Sequence, residues 1–161
     1  LVNGGGHAMA AGFTVPEDKI ADFRTFLSDH ISRQLAGERL APDIGIDGAL
    51  SPEGATVELI ELLEGAGPFG AGNPRPRFVL PSVTPINARI VGTDHVSCFL
   101  APPEGGTRLK AIFFRAAGMP AGEALLNARG GVLHVAGHLN IDTWQGNRKA
   151  QFIIEDVAQA T

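Results

Sequence analysis

The sequence predicts an α+β protein in two parts, a small α/β domain followed by a five-stranded β-barrel. Three observations predict it. Apolar residues recur with a period near 3.6 in the first half and near 2 in the second. Between the two regimes, residues 65–76 hold four glycines and three prolines, which continue neither a helix nor a central strand. Downstream, five strand candidates are interrupted by one short helix candidate, between the third and the fourth. The chain has 161 residues, 44% of them apolar and 19% charged, enough to bury a core.

Each element has a local reason. Phe13, Thr14 and Val15 read as a short strand, and Pro16 suits a first helical position, where a missing N–H is no loss. Glu17 and Asp18 favour the positive end of that helix. Ile20, Phe23, Leu27, Ile31 and Leu35 give it one apolar face, and Gly37 caps it. Ile44, Ile46 and Leu50 alternate with Gly45, Asp47 and Ala49 as a strand. Ser51, Pro52 and Glu53 then read as the start of a second helix, whose buried stripe is Leu59, Ile60 and Leu63. The expected division is a domain over 1–66, a Gly/Pro-rich joint over 67–80 and a second domain over 81–161. Strand candidates in the latter are 83–91, 96–101, 107–115, 131–142 and 149–157, with a helix at 120–126. That order is the order of an OB-fold barrel.

Charge and cysteine content narrow the function classes. The net charge of −4 argues against a general polyanion binder. Residues 1–80 hold 6 Lys/Arg against 11 Asp/Glu, whereas 81–161 hold 7 against 6, so any surface facing a polyanion is a local patch in the second half. No run approaches the roughly 18 apolar residues of a membrane helix. Nothing resembles a signal segment, and the lone Cys98 forms no internal disulfide; the expectation is a cytoplasmic protein without a membrane partner. The chain opens at Leu1, directly before a glycine run, and reads as a piece of something longer.

The strongest local signal is Gly4-Gly5-Gly6-His7, followed by small residues to Gly12. Backbone N–H groups gathered there at a helix N-terminus suit a phosphate, with His7 as an extra donor; a flexible turn with a surface histidine explains the same residues. Residues 65–70 match G-x-G-x-x-G but follow a helix and open none, so they read as a linker and not a dinucleotide site. His95 with Cys98, and His134 with His138, have zinc-like spacing. On strands, however, positions i and i+3 face opposite ways and i and i+4 lie about 13 Å apart, so no metal site is expected. Cys98 sits in an apolar strand and reads as a small buried hydrophobe, no serine lies in a nucleophile elbow, and no catalytic residue is assigned. The basic and aromatic residues of the second half are the better candidates: Arg108 and Lys110 on the third strand, then Trp144, Asn147, Arg148 and Lys149 around the turn into the fifth. OB-folds bind oligonucleotides on these strands and loops. Phe113 reads as core, while Trp144 stands between a stacking platform and a staple over the barrel end.

Residues 4–13 resemble the glycine-histidine motif of the DHH-associated domain in DHH phosphoesterases. Residues 47–51 and 67–78, the latter Gly-Pro-Phe-Gly-Ala-Gly-Asn-Pro-Arg-Pro-Arg-Phe, resemble the segment joining that domain to the OB-fold in RecJ-type exonucleases. Arg89-Ile90-Val91-Gly92 with His95, and Asn140, Trp144, Gly146-Asn147-Arg148 and Gln151, resemble the OB-fold of the same family. The family commonly carries a lysine two residues after this histidine, where the chain has Ser97. The resemblance implies a substrate-binding C-terminal part of a 5′→3′ single-stranded-DNA exonuclease acting in recombination and repair. It further implies that Gly4, Gly5, Gly6 and His7 hold a substrate phosphate. Single-stranded DNA is the implied partner, with repair proteins as further ones. Mn²⁺ or Mg²⁺ is implied for a catalytic DHH domain upstream of Leu1, and no cofactor for these residues. Two alternatives stay open, a non-catalytic OB-fold module that binds a protein and a part of another DHH-family phosphodiesterase.

Overall fold

The computed structural model describes residues 1–35, 43–143 and 146–160. Gly37, expected to cap the first helix, and Trp144 lie outside the described residues. The chain forms two compact units, Leu1–Ile44 and Gly45–Thr161. No described helix is long and apolar enough to cross a membrane.

The first unit is a hairpin followed by a helix. Strands β1 (Asn3–His7) and β2 (Ala10–Thr14) pair antiparallel, with Gly5 opposite Gly12. The glycine run is therefore extended, and not the helix N-terminus that its composition predicts. Glycine has no side chain from which a period could be read, and here the backbone of β1 is paired with that of β2. A 3-10 turn over Glu17–Lys19 intervenes before α1 (Ile20–Gln34), so Pro16 starts the turn and the α-helix begins one turn later than expected. Phe23 of α1 meets the Phe13 ring edge-on, with centroids 4.7 Å apart. The apolar face of α1 stays half covered: Phe23, Leu27 and Leu35 are half-buried, while Ile20 and Ile31 are exposed. No described residue of this unit up to Ile44 is fully buried.

The second unit is built on a ring of strands. A short β3 (Gly48–Ala49) runs parallel to the start of β4 (Phe78–Val91). Ser51 caps a 3-10 turn over Pro52–Gly54, and Thr56 caps α2 (Val57–Glu64) by accepting the Leu59 N–H at 3.2 Å. The predicted single helix from Ser51 is thus two pieces, broken after Gly54. Strands β5 (His95–Ala101) and β6 (Leu109–Phe113), helix α3 (Pro120–Leu126), and strands β7 (Leu133–Asp142) and β8 (Lys149–Gln159) complete the unit. The strands run β4–β5–β6–β8–β7, and β7 returns to pair with β4. This is a closed five-stranded barrel with a helix between its third and fourth strands, the OB arrangement predicted.

Strand β4 serves two neighbours by bending. Its first half pairs with β7 and its second with β5, and each ladder slips register once, between Leu80 and Val83 and between Ile86 and Arg89. Ser82 and Asn87 take up the slips at φ 52° and 53°. Inside, Phe152, Leu80, Leu100, Leu125, Val83, Val96 and Val135 are fully buried. Ile60 of α2 joins the same core, with Leu59, Leu63 and Phe78 packed against it. The Gly/Pro-rich segment read as a joint therefore lies within the second unit. Asn73 holds it by donating to the Ala66 and Pro68 carbonyls at 3.0 and 3.2 Å, and Arg75 pairs with Glu64 and lies 5.1 Å from the Phe69 ring centroid.

Candidate functional site

A groove of about 700 Å³ runs along the outer face of the barrel. Alternation along the strands decides which side chains reach it. On β6, Leu109, Ala111 and Phe113 point into the core, so Lys110 points out; on β5, Val96, Cys98 and Leu100 point in, so Phe99 points out opposite Lys110. Arg89 enters just past the Asn87 bulge, and Arg108, Asn147 and Lys149 come from strand ends and the turn into β8. Pro52, Thr56 and Val57 also line the groove.

The groove is lined by four cationic side chains and one carboxylate, that of Asp142. Lys110 Nζ donates to Asp142 Oδ2 at 2.7 Å. Among the described residues, Arg89, Arg108 and Lys149 form no ion pair. Glu53 stands beside the loop that delivers Arg108. Its carboxyl is held below the ordinary range by its own backbone N–H first, then by the Ser51 hydroxyl and the Thr107 N–H.

The sequence-predicted residues divide. The groove gathers Arg108, Lys110, Asn147 and Lys149. Arg148 is held elsewhere, its Nη2 2.7 Å from Glu61 Oε1 on α2. Phe113 is buried in the core, as expected. Sequence reasoning missed Phe99, and it named Arg89 only within the family motif and not as a site residue. Their signal was the outward phase of each strand, but only the register shows that they stand beside Lys110. In the first unit, Gly4, Gly5, Gly6 and His7 lie on β1, all exposed. His7 Nδ1 accepts the Met9 N–H at 3.2 Å, which places the proton of the neutral ring on Nε2.

The zinc-like spacings land as strand geometry requires. His95 faces out and Cys98 faces in. His134 Nδ1 accepts the Ser82 N–H at 3.1 Å, and His138 Nδ1 lies 3.0 Å from Glu155 Oε1. Burial opposes the charge on Glu155, but hydrogen bonds and charge from Arg77 and His138 outweigh it and hold the carboxyl below its ordinary range. Arg77 also donates its backbone N–H to Asp47 at 2.8 Å, which ties the entry segment to β8. Burial pushes the Cys98 thiol up to about 12, far from a thiolate at neutral pH.

Residues 46–156 match the model of the family described as the RecJ OB domain. Over 155 residues the chain is 34% identical to the single-stranded-DNA-specific exonuclease RecJ of Escherichia coli (strain K12), covering 95% of this chain and 26% of that protein. Its counterpart in Bacillus subtilis (strain 168) is 26% identical over 154 residues, covering 96% and 19%. The crystal structure of RecJ in complex with Mn²⁺ from Thermus thermophilus shares the fold, with a TM-score of 0.71 at 23% identity, covering 100% of this chain and 22% of that one. The chain spans about a quarter of the length of the curated relatives it matches.

Proposed function

Because the chain belongs to the RecJ OB-domain family, we propose that its barrel grips single-stranded DNA for a RecJ-type 5′→3′ exonuclease of recombination and repair. The observation that carries this reading is the groove, which Arg89, Arg108, Lys110 and Lys149 line together with the half-buried Phe99. Cations along a groove suit a phosphodiester backbone, and an aromatic ring within it suits a stacked base of any sequence. In the same reading the exposed strand Gly4–Gly6 lets a substrate phosphate approach its backbone, with His7 as an added donor. Hydrolysis belongs to a DHH catalytic domain with Mn²⁺ or Mg²⁺, which would activate water. Among the described residues, no group of three or more His, Cys, Asp or Glu comes together that fits such an ion. In this reading the task of the barrel is to bind and orient the strand.

Fluorescence anisotropy of a 3′-labelled single strand, at several salt concentrations and with duplex as competitor, tests the reading. Four phosphate contacts give an expected slope of about −3 for log affinity against log salt, at ~0.7 per contact on single strands. The double variant R108E/K149E is expected to weaken binding at least tenfold and to flatten that slope by about 1.4. Unchanged affinity in the double variant would remove DNA from the groove and favour a protein ligand. Metal-dependent cleavage by this chain alone would overturn the assignment of hydrolysis to another domain.

A further inference from the structure

We infer that the bound strand leaves the groove across the outer face of β5 and β6 and stacks on a second aromatic platform, Phe114 braced by His95. This rests on the groove reading above. Strand register lays out the path. Phe99 stands opposite Lys110, Ser97 opposite Ile112 on one side and Arg89 on the other, and His95 opposite Val91. His95, Ser97 and Phe99 share the outer face of β5, because Val96, Cys98 and Leu100 occupy the core. The His95 and Phe114 rings meet at 5.2 Å with their planes 75° apart. Phe114 is 49% exposed. An edge contact of this kind fixes a ring without covering both its faces.

His95 is itself fixed. The Arg115 N–H donates to its Nδ1 at 3.0 Å, which leaves that nitrogen no proton to share with Asp94 Oδ1, 2.9 Å away. Phe99 to His95 is four residues of extended chain, about 13 Å. That distance spans about four nucleotides at the stacked rise of ~3.4 Å, and fewer when bases are splayed. Between the two platforms the sheet is neutral. Ile112 is apolar, and the Ser97 hydroxyl donates to the Ala111 carbonyl at 3.4 Å. A strand crossing here meets uncharged surface with its bases, while Arg89 beside Ser97 and Arg115 beside Phe114 suit phosphates along the flanks. The platform lies on the same face as the groove, and that continuity assigns it to the same ligand.

The test compares oligothymidylates of about two nucleotides, too short to span both platforms, and of about twelve against the chain and its F114A, F114L and F114W variants. F114A and F114L are expected to weaken the longer oligonucleotide about fivefold or more, the lower end for one stacked base, and to leave the shorter one unchanged. F114W is expected to keep wild-type affinity for both. Equal weakening of both lengths, no effect on either, or wild-type behaviour in F114L overturns the platform. R108E/K149E weakens both lengths if the groove reading holds. A wild-type chain that binds neither length defeats the groove reading and this inference together, whereas loss of the length effect alone defeats only this inference.

Discussion

Lys110 and Asp142 meet at 2.7 Å in a groove whose other charged lining residues are all cationic. A carboxylate there repels a phosphodiester and occupies a lysine that would otherwise meet it. Asp142→Asn keeps the size and removes the charge. It is expected to tighten single-strand binding about two- to fivefold at low salt, the range of one partly exposed pair, and to steepen the salt slope. Weaker binding in this variant would show that the carboxylate itself receives the ligand. Glu155 acts on stability instead. Its folded carboxyl lies below its ordinary value of 4.5, so its contribution is present above that value and is lost as pH falls through the lower, folded one. Glu155→Gln is expected to lower the unfolding midpoint at neutral pH and to flatten its decline toward acid, so that the two profiles converge at low pH; an unchanged acid limb would assign the acid sensitivity to other carboxylates. Legibility at this scale followed locality. Arg108, Lys110, Asn147 and Lys149 were readable because they sit on or beside one strand or turn. Arg148, though adjacent to two of them, is drawn to Glu61 by a contact between residues far apart in sequence.

The barrel strands were readable because one face of each is buried, so the apolar alternation survives along β5, β6, β7 and β8. The beginning of β4 was not. Pro81 and Ser82 look like a strand end, yet they occupy a register slip, where a missing N–H and a positive φ interrupt the ladder without ending the strand. Gly137 marks the matching constraint on β7. A Cβ there would stand 2.0 Å from the Ile153 carbonyl oxygen, whereas one at Gly70 would meet nothing within 4 Å. Gly137→Ala is expected to cost about 3 kcal/mol or more, read as a lower urea midpoint, and Gly70→Ala less than about 1 kcal/mol. Equal midpoints would mean that β7 and β8 separate without penalty at this point. The end of β2 was read as a strand from Phe13 and Thr14, but β1 escaped the sequence reading for the opposite reason, since three consecutive glycines carry no pattern that separates a strand from a loop.

The two units differ in how they are held. The second has a continuous core from Ala55 to Ile154, whereas no described residue of the first up to Ile44 is fully buried. Local opening follows buried contact, so amides of β5, β7 and β8 are expected to exchange only through global unfolding, and those of β1, β2 and α1 orders of magnitude faster. Hydrogen exchange on the whole chain checks this; matched protection in both units would reveal support for the first that burial does not show. Helix α1 was predicted from its apolar stripe, and the helix is there, but that periodicity could not show what covers the stripe. Ring closure through β4 and β7 has a colloidal consequence. A barrel joined edge to edge offers no unpaired backbone row to a neighbouring molecule. In concentrated solution, pairing between copies would therefore start from the open margins of the β1–β2 hairpin or from the two-residue β3, and the groove face of the barrel would be the last part of the chain drawn into an aggregate.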